Sequence, residues 1–323
     1  MMGNLSRRRF GASVVAVALA GPARAQGLSR RPVTVVVPYS AGSPPDIVAR
    51  LVAEELQRRW GQPFVADNRP GASGNIGTAM VARAAPDGHT LVVTAGTMAM
   101  NVSLFRNLPY DPVTSFAPIA LLAQVPFAII AHPSAGASLQ EFLENARRHP
   151  GRLNYGSPGV GTPHHLAMEM FKQRTAIQVE HVPYRAVAGA VADLLAGNIG
   201  VMFIPITTAV ELARDGRVRI LAVATEARLP QAPDVPTVAE AGVPGVVMRD
   251  WYGLFAPAGT PPEILRRLNE SVNEVLTTAE VAQALAAQGM TAIGGPPERL
   301  RDRLAADLLF WAAVIREAGI TID

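Results

Sequence analysis

Short β-branched runs alternate with amphipathic helical stretches along this chain, and that alternation restricts it to an α/β architecture built on parallel strands. Val33-Thr34-Val35-Val36-Val37 is continuous, as a strand buried on both faces requires. A helix follows from about Pro45, with Ile47, Val48, Leu51, Val52 and Leu56 on one face. Phe64-Val65-Ala66 reads as a strand, Asn75 to Ala84 as a helix and Leu91-Val92-Val93 as a strand. Strand, helix, strand, helix, strand is the rhythm of right-handed βαβ units.

A second series begins at Phe127. Phe127 to Ala131 is a strand, and Ser138 to Arg148 a helix whose Ser138 and Glu141 have capping-box spacing. Strands are expected at Asn154-Tyr155-Gly156, Val179 to Val182, Val201 to Ile204, Ile220 to Ala224 and Trp251 to Ala256. Helices are expected over Pro163 to Arg174 and Val187 to Ala196, then over Pro261 to Leu276, Ala279 to Gln288 and Pro297 to Ala318. Two such series suit two lobes, each a mostly parallel sheet flanked by helices. The boundaries fall at about Val125 and Asp250: residues 26–125 with 251–323 form lobe 1, and residues 126–250 form lobe 2. Pattern alone does not derive the return of the C-terminal part to lobe 1.

Residues 1–25 read as an export signal. Ser6-Arg7-Arg8-Arg9-Phe10 is a paired-arginine start, Gly11 to Ala20 is mildly apolar, and Ala23-Arg24-Ala25 is a small-x-small cleavage site before Gln26. The expected location is the periplasm. Arg7, Arg8, Arg9 and Arg24 belong to this segment and no acid does, so the formal charge of +3 becomes −1 after cleavage. No basic run then remains to track a nucleic-acid backbone. Cysteine is absent, which excludes disulfides and thiol chemistry.

Two strand-to-helix turns carry the ligand chemistry. Tyr39-Ser40-Ala41-Gly42-Ser43-Pro44-Pro45-Asp46 follows the first strand, with Ser43 as N-cap and Asp46 completing a capping box. Ser157-Pro158-Gly159-Val160-Gly161-Thr162-Pro163-His164 follows the Tyr155 strand, with Thr162 as N-cap. Each turn is expected to offer backbone N–H groups at the positive end of a helix dipole, and glycine lets an anion approach. Facing each other across a cleft, they would clamp a carboxylate without a charged side chain. Asn68 to Gly77 spells G-x-x-G-x-x-G and has no ribose-binding acid about twenty residues on, so it reads as a tight loop. The adjacent His164 and His165 diverge on a helix and make poor joint metal ligands, and G-x-S-x-G is absent. No cofactor, metal or catalytic residue is expected. Trp251, Tyr252 and Phe255 read as core.

The order of several segments resembles one family. Val37-Pro38-Tyr39 through Asp46 to Arg50, Asn68 to Gly77 and Ala85-Pro86-Asp87-Gly88-His89-Thr90-Leu91 carry the resemblance in the first half. Leu108 to Pro112, His181-Val182-Pro183-Tyr184, Asp234 to Gly242 and Gly253 to Pro261 continue it. Together they are similar to the Bug (TctC-like) extracytoplasmic solute receptors of tripartite tricarboxylate transporters. The resemblance implies a two-lobe periplasmic-binding (Venus-flytrap) fold and a carboxylate held largely by backbone groups and water. It implies ligand loops at Tyr39 to Ser43 and Ser157 to Pro163, with Thr97 and Met98 at the end of the third strand and Tyr184 and Phe203 near the second-lobe wall. Ala41 stands where the family usually has glycine. Ile204 stands where many members have an acid, which favours a plain mono- or dicarboxylate, aromatic ones included, over an amino acid. The implied partners are that ligand and the transporter's membrane subunits, with the receptor a monomer. A sensor feeding a membrane kinase is the alternative; an enzyme lacks nucleophile, metal and dinucleotide signatures.

Overall fold

A computed structural model describes residues 31–322. The expected export signal and its expected cleavage before Gln26 fall outside the described residues.

The first lobe begins with β1 (Val33–Val37), α1 (Pro44–Trp60), β2 (Phe64–Asn68), α2 (Asn75–Ala82), β3 (Thr90–Ala95) and α3 (Thr97–Leu104). β1 lies between β2 and β3, parallel to both, and this explains its unbroken valine run. Proline at the first position of α1 fits a helix start, and Gly61 ends the helix at φ +59, where its amide bonds Gln57 O.

β4 (Phe116–Ala131) then runs through sixteen residues and serves both lobes. Phe116 to Pro126 pairs antiparallel with β9 (Arg249–Pro257), which also pairs antiparallel with β3. From Phe127 to Ala131, β4 pairs with β7 (Val201–Pro205) and with β8 (Arg219–Val223). The second lobe adds α4 (Leu139–Arg148), β5 (Asn154–Ser157), α5 (Pro163–Thr175), β6 (Glu180–Pro183), α6 (Val187–Leu195) and α7 (Ile206–Ala213). β5 is parallel to β6 and β7. Each lobe thus keeps a parallel three-strand block, and antiparallel crossing strands join the two blocks.

The C-terminal elements are α8 (Pro262–Leu276), α9 (Ala279–Ala287), β10 (Thr291–Ala292) and α10 (Pro297–Ala318). They return to the first lobe, with β10 pairing on β4 and α10 packing on α3. α10 also reaches the second lobe, where Gln173 Nε2 donates to Val314 O at 3.0 Å. The first half of β4, helices α3 and α7 and the short β10 go beyond the expected elements. The larger core cluster runs through both lobes, and a smaller one lies under α6 and α7.

Candidate functional site

A cavity of about 290 Å³ opens where the two lobes meet. Ser43, Pro44 and Pro45 bring the start of α1 to it, and Gly161, Thr162, Pro163 and His164 bring the start of α5. The two turns read from the sequence therefore share one cavity. Tyr39 and Thr97 line it as well.

Local contacts fix these groups. The Tyr39 hydroxyl lies 2.6 Å from Thr97 Oγ1 and 3.3 Å from Thr94 Oγ1, and accepts from Ala95 N at 3.2 Å. Its ring fits against Gly74, where an added Cβ would lie 3.3 Å from three ring and hydroxyl atoms. Ser73, also lining the cavity, is held through its carbonyl by Asn101 Nδ2 at 3.0 Å. In the second turn Thr162 Oγ1 donates to Gly159 O at 2.8 Å and accepts from His165 N at 3.5 Å. Gly161, at φ +75, donates its amide to His165 Nδ1 at 3.0 Å.

The first turn differs from its expected form. Ser43 makes no side-chain cap; its hydroxyl donates to Ser40 O at 2.6 Å. Asp46 does not close a capping box on Ser43. It accepts from Gly42 N at 2.8 Å, Arg50 Nε at 3.0 Å and Asn68 Nδ2 at 2.9 Å. Burial pushes its carboxyl up, but those three bonds together hold it below the ordinary value. Pro44 and Pro45 have no N–H, so α1 offers an anion its dipole and far fewer amides than a proline-free first turn.

The remaining expected residues lie elsewhere. Ser40, Ala41 and Gly42 are exposed on the loop beside the cavity. Met98 and Phe203 are buried in the core and line no part of the cavity. Ser157 is fully buried behind the second turn, with Oγ 2.7 Å from His181 Nε2, and accepts from Gly159 N at 3.2 Å. Tyr184 packs on the smaller core and donates to Asp193 Oδ2 at 2.6 Å.

Outside the two expected turns, six lining residues went unrecognised as site residues: Ser73, Ala95, Phe127, Pro205, Asp250 and Tyr252. Phe127 and Asp250 stand next to the expected lobe boundaries, so the crossing strands themselves form the cavity floor. Tyr252 is both core and floor. His164 sets its ring edge-on to Phe127, with centroids 5.1 Å apart. Its Nδ1 is buried without a partner, and burial lowers its pKa to about 4, so the ring is neutral at neutral pH. Asp250 Oδ1 accepts from Gly96 N at 3.1 Å and Trp251 N at 3.0 Å. Burial, helped by the charge of Asp307, pushes its pKa up to about 7 against the two amides and Arg303. Among the described residues no lysine or arginine lines the cavity.

Two α/β lobes, crossing strands and a cavity between helix starts define a solute-binding protein of the periplasmic type. The chain belongs to the TctC family: the model for "Tripartite tricarboxylate transporter family receptor" matches residues 48–320. It is 34% identical to BugT of Bordetella pertussis over 313 residues, 96% of each chain. Among solved structures it resembles Rpa4515 of R. palustris with adipate, at 36% identity and TM-score 0.81, covering 90% of this chain and 99% of that one. MatC from Rhodopseudomonas palustris with bound malate is similar at 34% identity and TM-score 0.77, with 88% and 99% covered. The chain is a periplasmic solute-binding receptor of this family.

Proposed function

We propose that the receptor captures a small carboxylate between the starts of α1 and α5 and delivers it to the membrane subunits of a tripartite tricarboxylate transporter. The observation that carries this reading is the meeting of two helix N-termini at one cavity that several hydroxyls reach and that, among the described residues, no lysine or arginine lines. Their dipoles favour an anion, and Tyr39, Ser43, Thr97 and Thr162 supply hydroxyls to fix it. The carboxylates seen in Rpa4515 and MatC agree with this chemistry. In this reading residues 26–125 with 251–323 move against residues 126–250 as the lobes close, and the chain is exported by a signal cut before Gln26.

Native mass spectrometry of protein taken from the periplasm, followed by thermal shift with the ligand it retains, tests the reading. A retained carboxylate should stabilise the fold by about 2.7 kcal/mol at a hundredfold excess over Kd. Retention of an uncharged solute, with no stabilisation by adipate, malate or other small carboxylates, would remove the reading.

A further inference from the structure

Asp250 is the only acidic side chain among the described residues lining the cavity. It is 9% exposed and rigidly placed. Gly96 permits that placement, because a Cβ there would lie 2.8 Å from Asp250 Oδ1. Oδ1 already accepts two backbone amides. Among the described residues Oδ2 accepts no hydrogen bond, and Asp250 is part of the cavity lining. The groups around it are Tyr39 ahead of α1, Tyr252 on β9, and Arg303 and Asp307 on α10. Of these only the two tyrosines line the cavity.

From this geometry we infer that Asp250 selects a ligand bearing an ammonium group as well as a carboxylate. The inference rests on the proposed capture of a carboxylate at the two helix starts. With no lysine or arginine on the walls, a second ligand carboxylate would face Asp250 as a like charge. An ammonium group would satisfy Oδ2, and Phe127 and Tyr252 line the same cavity as aromatic surface open to a cation. Ile204 is wholly buried in the smaller core and does not line the cavity, whereas Asp250 lines it from β9.

Calorimetric titration with matched probes tests the inference: aspartate against succinate, 4-aminobutanoate against butanoate, and 6-aminohexanoate against hexanoate and adipate. At least one amino-carboxylate should bind about tenfold or more tightly than its matched partner. Asp250→Asn keeps an oxygen for the Gly96 and Trp251 amides, and should weaken that amino-carboxylate by about tenfold or more with no such loss for its matched amine-free probe, a dicarboxylate binding more tightly as the like charge goes. Wild-type titrations in two buffers of different ionisation enthalpy give a readout independent of the variant. An ammonium beside Asp250 lowers its pKa, so protons leave on binding near neutral pH; a dicarboxylate would take protons up. Tighter binding of the amine-free probes, proton uptake, or an unchanged amino-carboxylate affinity in Asp250→Asn overturns the inference and leaves carboxylate capture standing. If no probe of either kind binds, both fall.

Discussion

The amide of Gly161 donates to Nδ1 of His165 across 3.0 Å, so the turn that walls the cavity depends on an unprotonated imidazole nitrogen. The ring stacks on His181 with centroids 4.0 Å apart. Burial, then the charge of His181, lowers the His165 pKa to about 4.

Stability should therefore fall as the medium turns acid. His164 and His165 have folded-state values of about 4, below the ordinary 6.5, so the folded chain binds fewer protons there than the unfolded chain. Their contribution is complete above about pH 6.5 and disappears as pH falls toward 4, with an upper bound on the order of 3 kcal/mol each. Asp250 acts in the opposite sense. Its raised value makes the folded chain retain a proton, so its contribution decreases from about pH 4 to about 7. Melting temperatures between pH 4 and 8 check both signs: His165→Gln should flatten the acid loss and Asp250→Asn should steepen it.

The glycines of the two turns should respond differently to alanine. At Gly42, φ is +78 and an added Cβ would meet nothing within 4 Å, so Gly42→Ala should cost only the left-handed backbone, about 1 kcal/mol. At Gly161 the added Cβ would lie 2.6 Å from Ile322 Cδ1 and 2.8 Å from Leu104 Cδ1. Those atoms belong to the first lobe's packing, so Gly161→Ala should cost about 2–3 kcal/mol. Urea unfolding of the two variants decides; equal losses would contradict the packing difference.

Asp46 should matter for the fold of the first turn. Asp46→Ala removes the shared acceptor of the Gly42 amide, Arg50 and Asn68, and should destabilise the chain by about 1–3 kcal/mol; Asp46→Asn should cost less. Limited proteolysis should show cleavage near Ser40 to Gly42 in the alanine variant before any global unfolding.

β1 was readable because its valines are buried on both faces, and both turns were readable because proline follows a serine or threonine at the N-cap position in each. The first half of β4 was not: Pro118 and Pro126 look like breaks, and register shifts near Pro118 and Leu121 disturb its alternation. α3 and α7 start within one residue of the preceding strand, leaving no loop to mark them. Asp250 was unreadable as a site residue for a different reason. Its place on the cavity floor depends on the pairing of Val125 with Asp250, a contact between distant segments. Pro44 and Pro45 leave α1 without its first two amides, a feature the expected clamp did not weigh.

β4 directs alternate side chains into different cores. Val125, Phe127, Ile129 and Ala131 belong to the larger cluster, and Ala128 and Ile130 to the smaller. The strand thus sets a reading frame common to both lobes. One residue inserted between Gln124 and Phe127 would exchange the two sets and misalign the whole second lobe. Across relatives, changes in chain length should accumulate in the connecting loops and spare this stretch, whatever solute each receptor carries.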